Sequence, residues 1–248
     1  MTIPPPRPVE RHESIGSTND RAADLARAGA PHGTVVVAGE QLQGRGRHGR
    51  AWRSARGQGL WASVLVRTAR PVAEQSQLAL VTGLAVCDAL ALDLGAPDVT
   101  LRWPNDVDLR GRKVAGILCE RVAGGTGAVV AGIGINTGAG AVPPELAATA
   151  TSLEPEGLAV TPERLLDLLR ARLDTRVDAW ERGGFGAVRD EYLARLDLLG
   201  REAGLAGAGE GGAEVRGTVR TVDAAGALVL ATAAGERAFH AGQVTRVR

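Results

Sequence analysis

The chain has 248 residues, 44% hydrophobic and 23% charged, with 29 basic residues against 28 acidic ones and a formal net charge of +1. That balance fits one or two globular domains with a real core, and it lacks the basic face or tail that nucleic-acid binders carry. No apolar run approaches the roughly 18–20 residues of a membrane helix and residues 1–14 hold no apolar signal core, so a cytoplasmic protein is expected, with neither DNA nor membrane as partner.

Ser17, Thr18, Asn19 and Asp20 open a short helix starting near Thr18 and closing at a glycine. Residues 34–40 read as a β-branched strand and residues 59–67 as another, and 74–94 carry an apolar helical stripe about 20 residues long. Three further strands are expected over 99–103, 113–122 and 127–137, the first linked to the second through the hairpin-like turn DLRGR. Residues 138–161, rich in Gly, Ala and Pro, read as loop with one helical turn. Thr161, as N-cap before Pro162, opens an amphipathic helix over 162–182, and 190–199 form another. The five glycines of 203–213 are the signature of a linker or a hairpin. Beyond them, three or four short strands separated by AAG, AAG and HAG suit a small β-barrel that would be marginal alone and should pack on the main domain. The expected domains are therefore 1–202 and 203–248.

Cys87 and Cys119 lie in apolar segments and read as reduced core thiols. His12, His32, His48 and His240 are scattered singly, which argues against a histidine metal site.

The stretch 44–50, GRGRHGR, places three guanidiniums and three glycines in seven residues. Glycine allows close backbone approach with exposed N–H groups and arginine offers rigid forks, so an anion-binding loop is expected. The same letters satisfy G-x-G-x-x-G, but a dinucleotide turn needs a helix immediately afterwards, and RAWRSARGQG offers no apolar helical face. A merely solvated arginine loop stays open. A P-loop is excluded, because the lysine in GRKVAG lacks its spacing.

In RWPND the Trp-Pro step breaks a strand and leaves Asn105 and Asp106 at its end, either to reach a ligand or metal or simply to turn the chain. Lys113 shares a strand face with Ala115 and Ile117, so a cation would project from an apolar surface unless it is a solvated strand end. Lys113 is the one lysine beside 28 arginines. That bias suggests a position that needs an ammonium. In Gly132-Ile133-Gly134-Ile135-Asn136 the two glycines share a face, as a flat floor for a ring or as a β-bulge. Ser17 to Asp20 fit a helix cap, and a helix N-terminus also suits a carboxylate.

Taken in order, STND, GEQLQGRGRHGRAW, GLWASV, RWPNDV, RKVAGILCE and AGIGINT resemble the biotin protein ligases, over about residues 14–137, and the final β unit resembles that family's SH3-like C-terminal domain. The resemblance implies an α+β fold: a mixed, largely antiparallel sheet flanked by helices, class II synthetase-like, with a small C-terminal SH3-like β-barrel. It implies that biotin and MgATP give biotinyl-5′-adenylate, from which biotin passes to a lysine of a biotin carboxyl carrier protein. By the same resemblance Ser17, Thr18, Asn19, Gln41, Arg45, Gly46, Arg47, Lys113 and Gly116 would bind biotin, with Lys113, Arg45 and Arg47 catalytic. Arg47, Arg50, Trp52, Asn105, Asp106 and Asn136 would bind nucleotide and phosphate, and Asp106 would orient magnesium or Lys113. His48 takes no catalytic role.

With 16 residues before Ser17, the monofunctional ligase without an N-terminal DNA-binding domain is expected, and the reading admits a homodimer. The alternatives are a lipoate ligase-like adenylating transferase and a non-catalytic biotin-binding regulatory module.

Overall fold

The computed structural model describes residues 7–124 and 126–246. In chain order the elements begin with β1 (Val9–His12), α1 (Thr18–Arg27), β2 (Val35–Ala38), β3 (Gly59–Arg67), α2 (Leu78–Asp88), β4 (Val99–Arg102), β5 (Asp106–Leu109), β6 (Arg112–Arg121) and β7 (Ala128–Asn136). They continue with α3 (Pro162–Gly183), α4 (Arg189–Arg195), β8 (Glu202–Ala206), β9 (Val215–Val222), β10 (Leu228–Thr232), β11 (Gly235–Phe239) and β12 (Gln243–Arg246). Two units form, residues 7–75 with 112–168 and residues 76–111 with 169–246.

In the first unit the sheet order is β1-β2-β3-β7-β6. β1 lies parallel to β2, and β2, β3, β7 and β6 are successively antiparallel. β1 is absent from the expected elements because it follows a proline-rich stretch and carries three charged or titratable residues in four. On β7 the even-numbered residues share one face. Ala128 and Val130 of that face cluster with Ala22 and Ala26 of α1, together with Val36, Leu65 and Val122. Small alanines let the helix approach the sheet closely, so the N-terminus of α1 is carried toward Gly132 and Gly134, farther along the same face.

α2, in the second unit, continues a 3₁₀ stretch (Val72–Gln77) that begins within the first, and runs into a π-helical turn (Ala89–Asp93). The combined helix, Val72–Asp93, has 22 residues and reaches a mean hydropathy of 1.4 over its most apolar 18-residue window, long and apolar enough to cross a membrane by length and composition. This corrects the expectation that no run reaches that length. The helix is instead 78% buried within the protein over its most apolar window, as a core helix hydrophobic all round should be. Its one buried acid, Asp88, pairs with Arg176 of α3 at 2.7 Å. α3 is capped as expected: the Arg164 amide donates to Thr161 Oγ1 at 3.3 Å.

β4 and β5 form a hairpin, with Arg102 opposite Asp106. The expected direct link from residues 99–103 to 113–122 is therefore corrected, because β5 lies between them. Its sequence, DVDL, hides a strand behind two aspartates. Asp108 is fully buried and accepts from Arg102 Nη2 at 2.7 Å.

Residues 203–213 resolve into the hairpin reading, since β8 takes the first four of them and pairs antiparallel with β9. The C-terminal sheet thus has five strands, ordered β11-β10-β9-β8-β12, and the AAG turns place Gly226 and Gly235 at φ 83° and 105°, where a side chain would be strained. Core side chains of the same unit grip its β9–β10 turn. Trp103 Nε1 donates to Gly226 O at 3.1 Å, and Gln77 Nε2 donates to Ala225 O at 3.3 Å. Gln77 Oε1 in turn accepts from Trp180 Nε1 at 2.9 Å.

Cys87 is fully buried, where desolvation pushes its thiol far above the ordinary range, but Cys119 is only half-buried, which corrects the expectation of two core thiols.

Candidate active site

The first unit gathers a polar niche at the N-terminus of α1. Ser17 caps the helix, its hydroxyl accepting from the Asp20 amide at 3.5 Å. Ser17, Thr18 and Asn19 are buried, at 5%, 3% and 6% exposure. Gln41 reaches across from beyond β2: its Oε1 accepts from the Thr18 amide at 2.9 Å and from the Thr18 hydroxyl at 3.0 Å. Its Nε2 donates to Ser54 Oγ at 3.1 Å.

Ser63 completes the niche from β3. It is fully buried, with Oγ 2.8 Å from Thr18 Oγ1 and 2.6 Å from Asn19 Oδ1. Asn19 donates through Nδ2 to Leu118 O at 3.2 Å and to Glu120 Oε2 at 2.6 Å.

The glycines of β7 explain why these groups can meet. A Cβ on Gly132 would stand 2.2 Å from Asn19 Oδ1, so only glycine leaves room for that amide. A Cβ on Gly134 would stand 2.7 Å from the Trp52 ring, and one on its cross-strand partner Gly116 would stand 2.8 Å from it. The flat floor expected of the glycine pair therefore exists, and it receives an amide and an indole of the chain itself. Trp52 also meets Trp61 edge-on, at 6.3 Å between centroids and 73° between planes. Lys113 Nζ lies 5.1 Å from the Trp52 centroid, within the range of a cation–π contact.

The arginine loop is folded back on itself rather than helical. Gly46 N donates to Arg50 O at 2.7 Å and Trp52 N to Gly44 O at 2.9 Å. Between them a single 3₁₀ turn (Arg47–Gly49) places His48 and Gly49 at φ 58° and 71°. Arg45 forms a two-pronged ion pair with Asp20, at 2.8 and 2.5 Å, and lies 3.9 Å from Glu120. The guanidinium holds the Asp20 carboxyl below its usual range, and the carboxylate raises Arg45 in return. Arg47 is half-buried and Arg50 exposed on the same loop.

Asn136 ends β7 and is buried, donating through Nδ2 to Thr151 O at 3.0 Å. The same loop segment is tied to the Lys113 backbone: Lys113 N donates to Thr149 O at 2.9 Å and Thr151 N to Lys113 O at 2.8 Å.

Asn105 and Asp106 belong to the second unit. There the Trp103–Pro104 bond is cis, and Asp106 stands 3.8 Å from Arg102 Nη2. Among the described residues no group of three or more His, Cys, Asp or Glu side chains could hold a metal ion. A lone carboxylate such as Asp106 fits magnesium only as it is commonly bound, through one or two carboxylates together with substrate phosphates.

Ser63, Ser54, Asp20 and Glu120 were not among the expected site residues. Ser63 had a signal, being the one hydroxyl in a strand otherwise apolar up to its terminal Arg67. Asp20 was visible only as part of the helix cap, and Glu120 gave no signal beyond its strand.

Buried hydroxyls and amides lie beside an aromatic wall over a glycine floor, with Arg45 and Lys113 supplying positive charge. Such a niche suits a small ring bearing hydrogen-bonding groups and a carboxylate. Residues 12–136 match the biotin/lipoate A/B protein ligase family, and residues 208–246 match the biotin protein ligase C terminal domain. The chain belongs to the biotin/lipoate A/B protein ligase family.

Its full-length relatives are more particular. A biotin--[acetyl-CoA-carboxylase] ligase of Paracoccus denitrificans is 39% identical over 238 residues, covering 92% of this chain and 96% of that protein. The corresponding ligase of Mycobacterium tuberculosis is 35% identical over 238 residues, covering 94% and 86%. Among solved structures, the biotin protein ligase from Aquifex aeolicus in complex with biotin and ATP is 29% identical, with a TM-score of 0.83 over 96% of this chain and 97% of that one.

Proposed function

We propose that the chain is an ATP-dependent biotin protein ligase. Biotin and MgATP react to biotinyl-5′-adenylate and pyrophosphate, and biotin then passes to a lysine of a biotin carboxyl carrier protein. The observation that carries this reading is the Thr18–Gln41–Ser63 niche beside the Trp52-covered glycine floor, with Arg45 and Lys113 at its border.

The first step brings a carboxylate against a triphosphate. A carboxylate oxygen bonds to the α-phosphorus as the bond to the pyrophosphate oxygen breaks, so repelling anions must be neutralised together. Lys113, Arg45 and Arg47 are assigned to the carboxylate and α-phosphate. Ser17, Thr18, Asn19, Gln41, Gly46 and Gly116 are assigned to biotin, and Ser63 joins them. In the second step the acceptor amine attacks the acyl carbon, AMP leaves with the bonding pair, and an amide remains.

Arg50, Trp52, Asn105, Asp106 and Asn136 are assigned to the nucleotide. Magnesium enters as MgATP, with Asp106 as the carboxylate nearest in kind to what its phosphate-bound form accepts. A cytoplasmic setting, a division into domains near 202/203 and a homodimer belong to the same reading, as does the absence of a DNA partner, supported by the near-zero net charge. ATP–pyrophosphate exchange by the purified chain tests it: exchange should depend on biotin and not on lipoate. Equal exchange with lipoate would overturn the substrate, and no exchange with either would overturn the enzyme.

A further inference from the structure

Asp20 lies outside every role assigned above, yet it takes both prongs of the Arg45 guanidinium, Nη1 to Oδ2 at 2.8 Å and Nη2 to Oδ1 at 2.5 Å. Gln41, at the base of the loop, is already bonded to Thr18 of the first turn of α1; the Asp20–Arg45 pair carries that attachment four residues farther, into the arginine loop itself. We propose that Asp20 is a positioning residue for the ligase reaction: it holds Arg45, and with it the arginine loop, against the N-terminus of α1 so that the guanidinium faces the substrate carboxylate. This rests on the biotin ligase reading.

Three observations converge on it. First, Arg45 is tied to the buried niche twice over, because Glu120 lies 3.9 Å from Arg45 Nη2 and its Oε2 accepts the Asn19 amide at 2.6 Å. Isolated surface ion pairs contribute little, but forked geometry and membership of a network are the recognised exceptions. Second, Asp20 follows directly after Thr18 and Asn19, which line the niche, so its carboxylate is set by the same capped turn that sets them. Third, the Arg45 fork has five N–H donors, and two of them go to Asp20. Donors therefore remain for an incoming anion without breaking the pair.

A loop with three arginines and three glycines in seven residues otherwise has many conformations to lose when a ligand arrives. Holding Arg45 beforehand removes part of that loss. The effect belongs in ligand binding and leaves the bond-making step alone.

The test compares Asp20→Asn and Asp20→Glu with the unaltered chain. In biotin-dependent ATP–pyrophosphate exchange, Asp20→Asn should raise the biotin KM by roughly three- to tenfold while kcat at saturating biotin stays within about twofold. Asp20→Glu, which keeps the carboxylate, should recover most of the loss. Without ligand, trypsin should cleave after Arg45 several-fold faster in Asp20→Asn, and that comparison needs no catalysis. An Asp20→Asn chain with unchanged or lower biotin KM, or with unchanged cleavage after Arg45, overturns the inference. The function itself fails separately, through absence of biotin-dependent exchange in the unaltered chain.

Discussion

The Trp52 indole rests on Gly134: a Cβ added there would lie 2.7 Å from the ring, closer than real Cβ atoms approach. The ring in turn stands under Lys113 Nζ at 5.1 Å. One missing side chain on β7 thus sets the height of the aromatic wall and, through it, the surroundings of the lysine.

Gly134→Ala should therefore lift Trp52 while leaving the strand intact, because Gly134 has no positive φ and alanine is tolerated in a paired strand. The expected outcome is an increase of about tenfold in the biotin KM for exchange, equivalent to about 1.4 kcal/mol, with little change in thermal midpoint. An unchanged KM would show that the indole height is irrelevant to binding.

Lys113→Arg preserves the net charge and should leave long-range attraction intact, but a guanidinium is larger, planar and shaped to bond as a fork. Adenylate formation in a single turnover should fall at least roughly tenfold, about 1.4 kcal/mol in the barrier, with the fold retained. A normal rate in a folded variant would return Lys113 to the status of an ordinary strand-end cation.

The Glu10 carboxyl is held down from 4.5 to about 2, chiefly by hydrogen bonds from Arg21 at 2.7 and 3.0 Å and further by His12. A depressed carboxylate stabilises the fold fully above its unfolded value and loses that contribution as pH falls toward its folded one. Glu10→Gln should thus be less stable than the unaltered chain at neutral pH, by no more than about 1 kcal/mol for so accessible a pair. The gap should narrow between pH 4.5 and 2. Thermal midpoints at pH 7, 4 and 2.5 check it, and a gap constant across that window would contradict the assignment.

Much of the first unit was legible because its strands are rich in β-branched residues and its helix is capped by an unmistakable Ser17. β3 and β7 emerged within a residue or so of their expected limits. The elements that stayed hidden break their local pattern for a tertiary reason. Asp108 in β5 is polar because it is buried against Arg102, and β8 has small residues at three of its five positions, one of them set by a close neighbour: a Cβ on Gly204 would meet Glu214 at 2.1 Å. The same holds at the site. Lys113 and the glycine pair announced themselves by rarity or spacing, and Gln41 came only through the family resemblance. Asp20 and Glu120 are common surface acids whose partners lie 25 and about 100 residues away in sequence, and no local pattern reports such pairings.

The hold of Trp103 and Gln77 on the β9–β10 turn bears on how the C-terminal sheet can be removed. A chain shortened before β8 would strip the indole N–H and the Gln77 amide, both buried in the intact chain, of their acceptors Gly226 O and Ala225 O and open their surroundings to water. Each lost hydrogen bond contributes about 0.5–1.5 kcal/mol net, in a protein whose whole margin of stability is on the order of 5–15 kcal/mol. Truncation would thus reach into the interior at the start of α2 and at the end of β4. Residues 202–248 are in this sense part of the keel, and deleting them to ask what they bind would at the same time loosen the frame that carries Asn105 and Asp106.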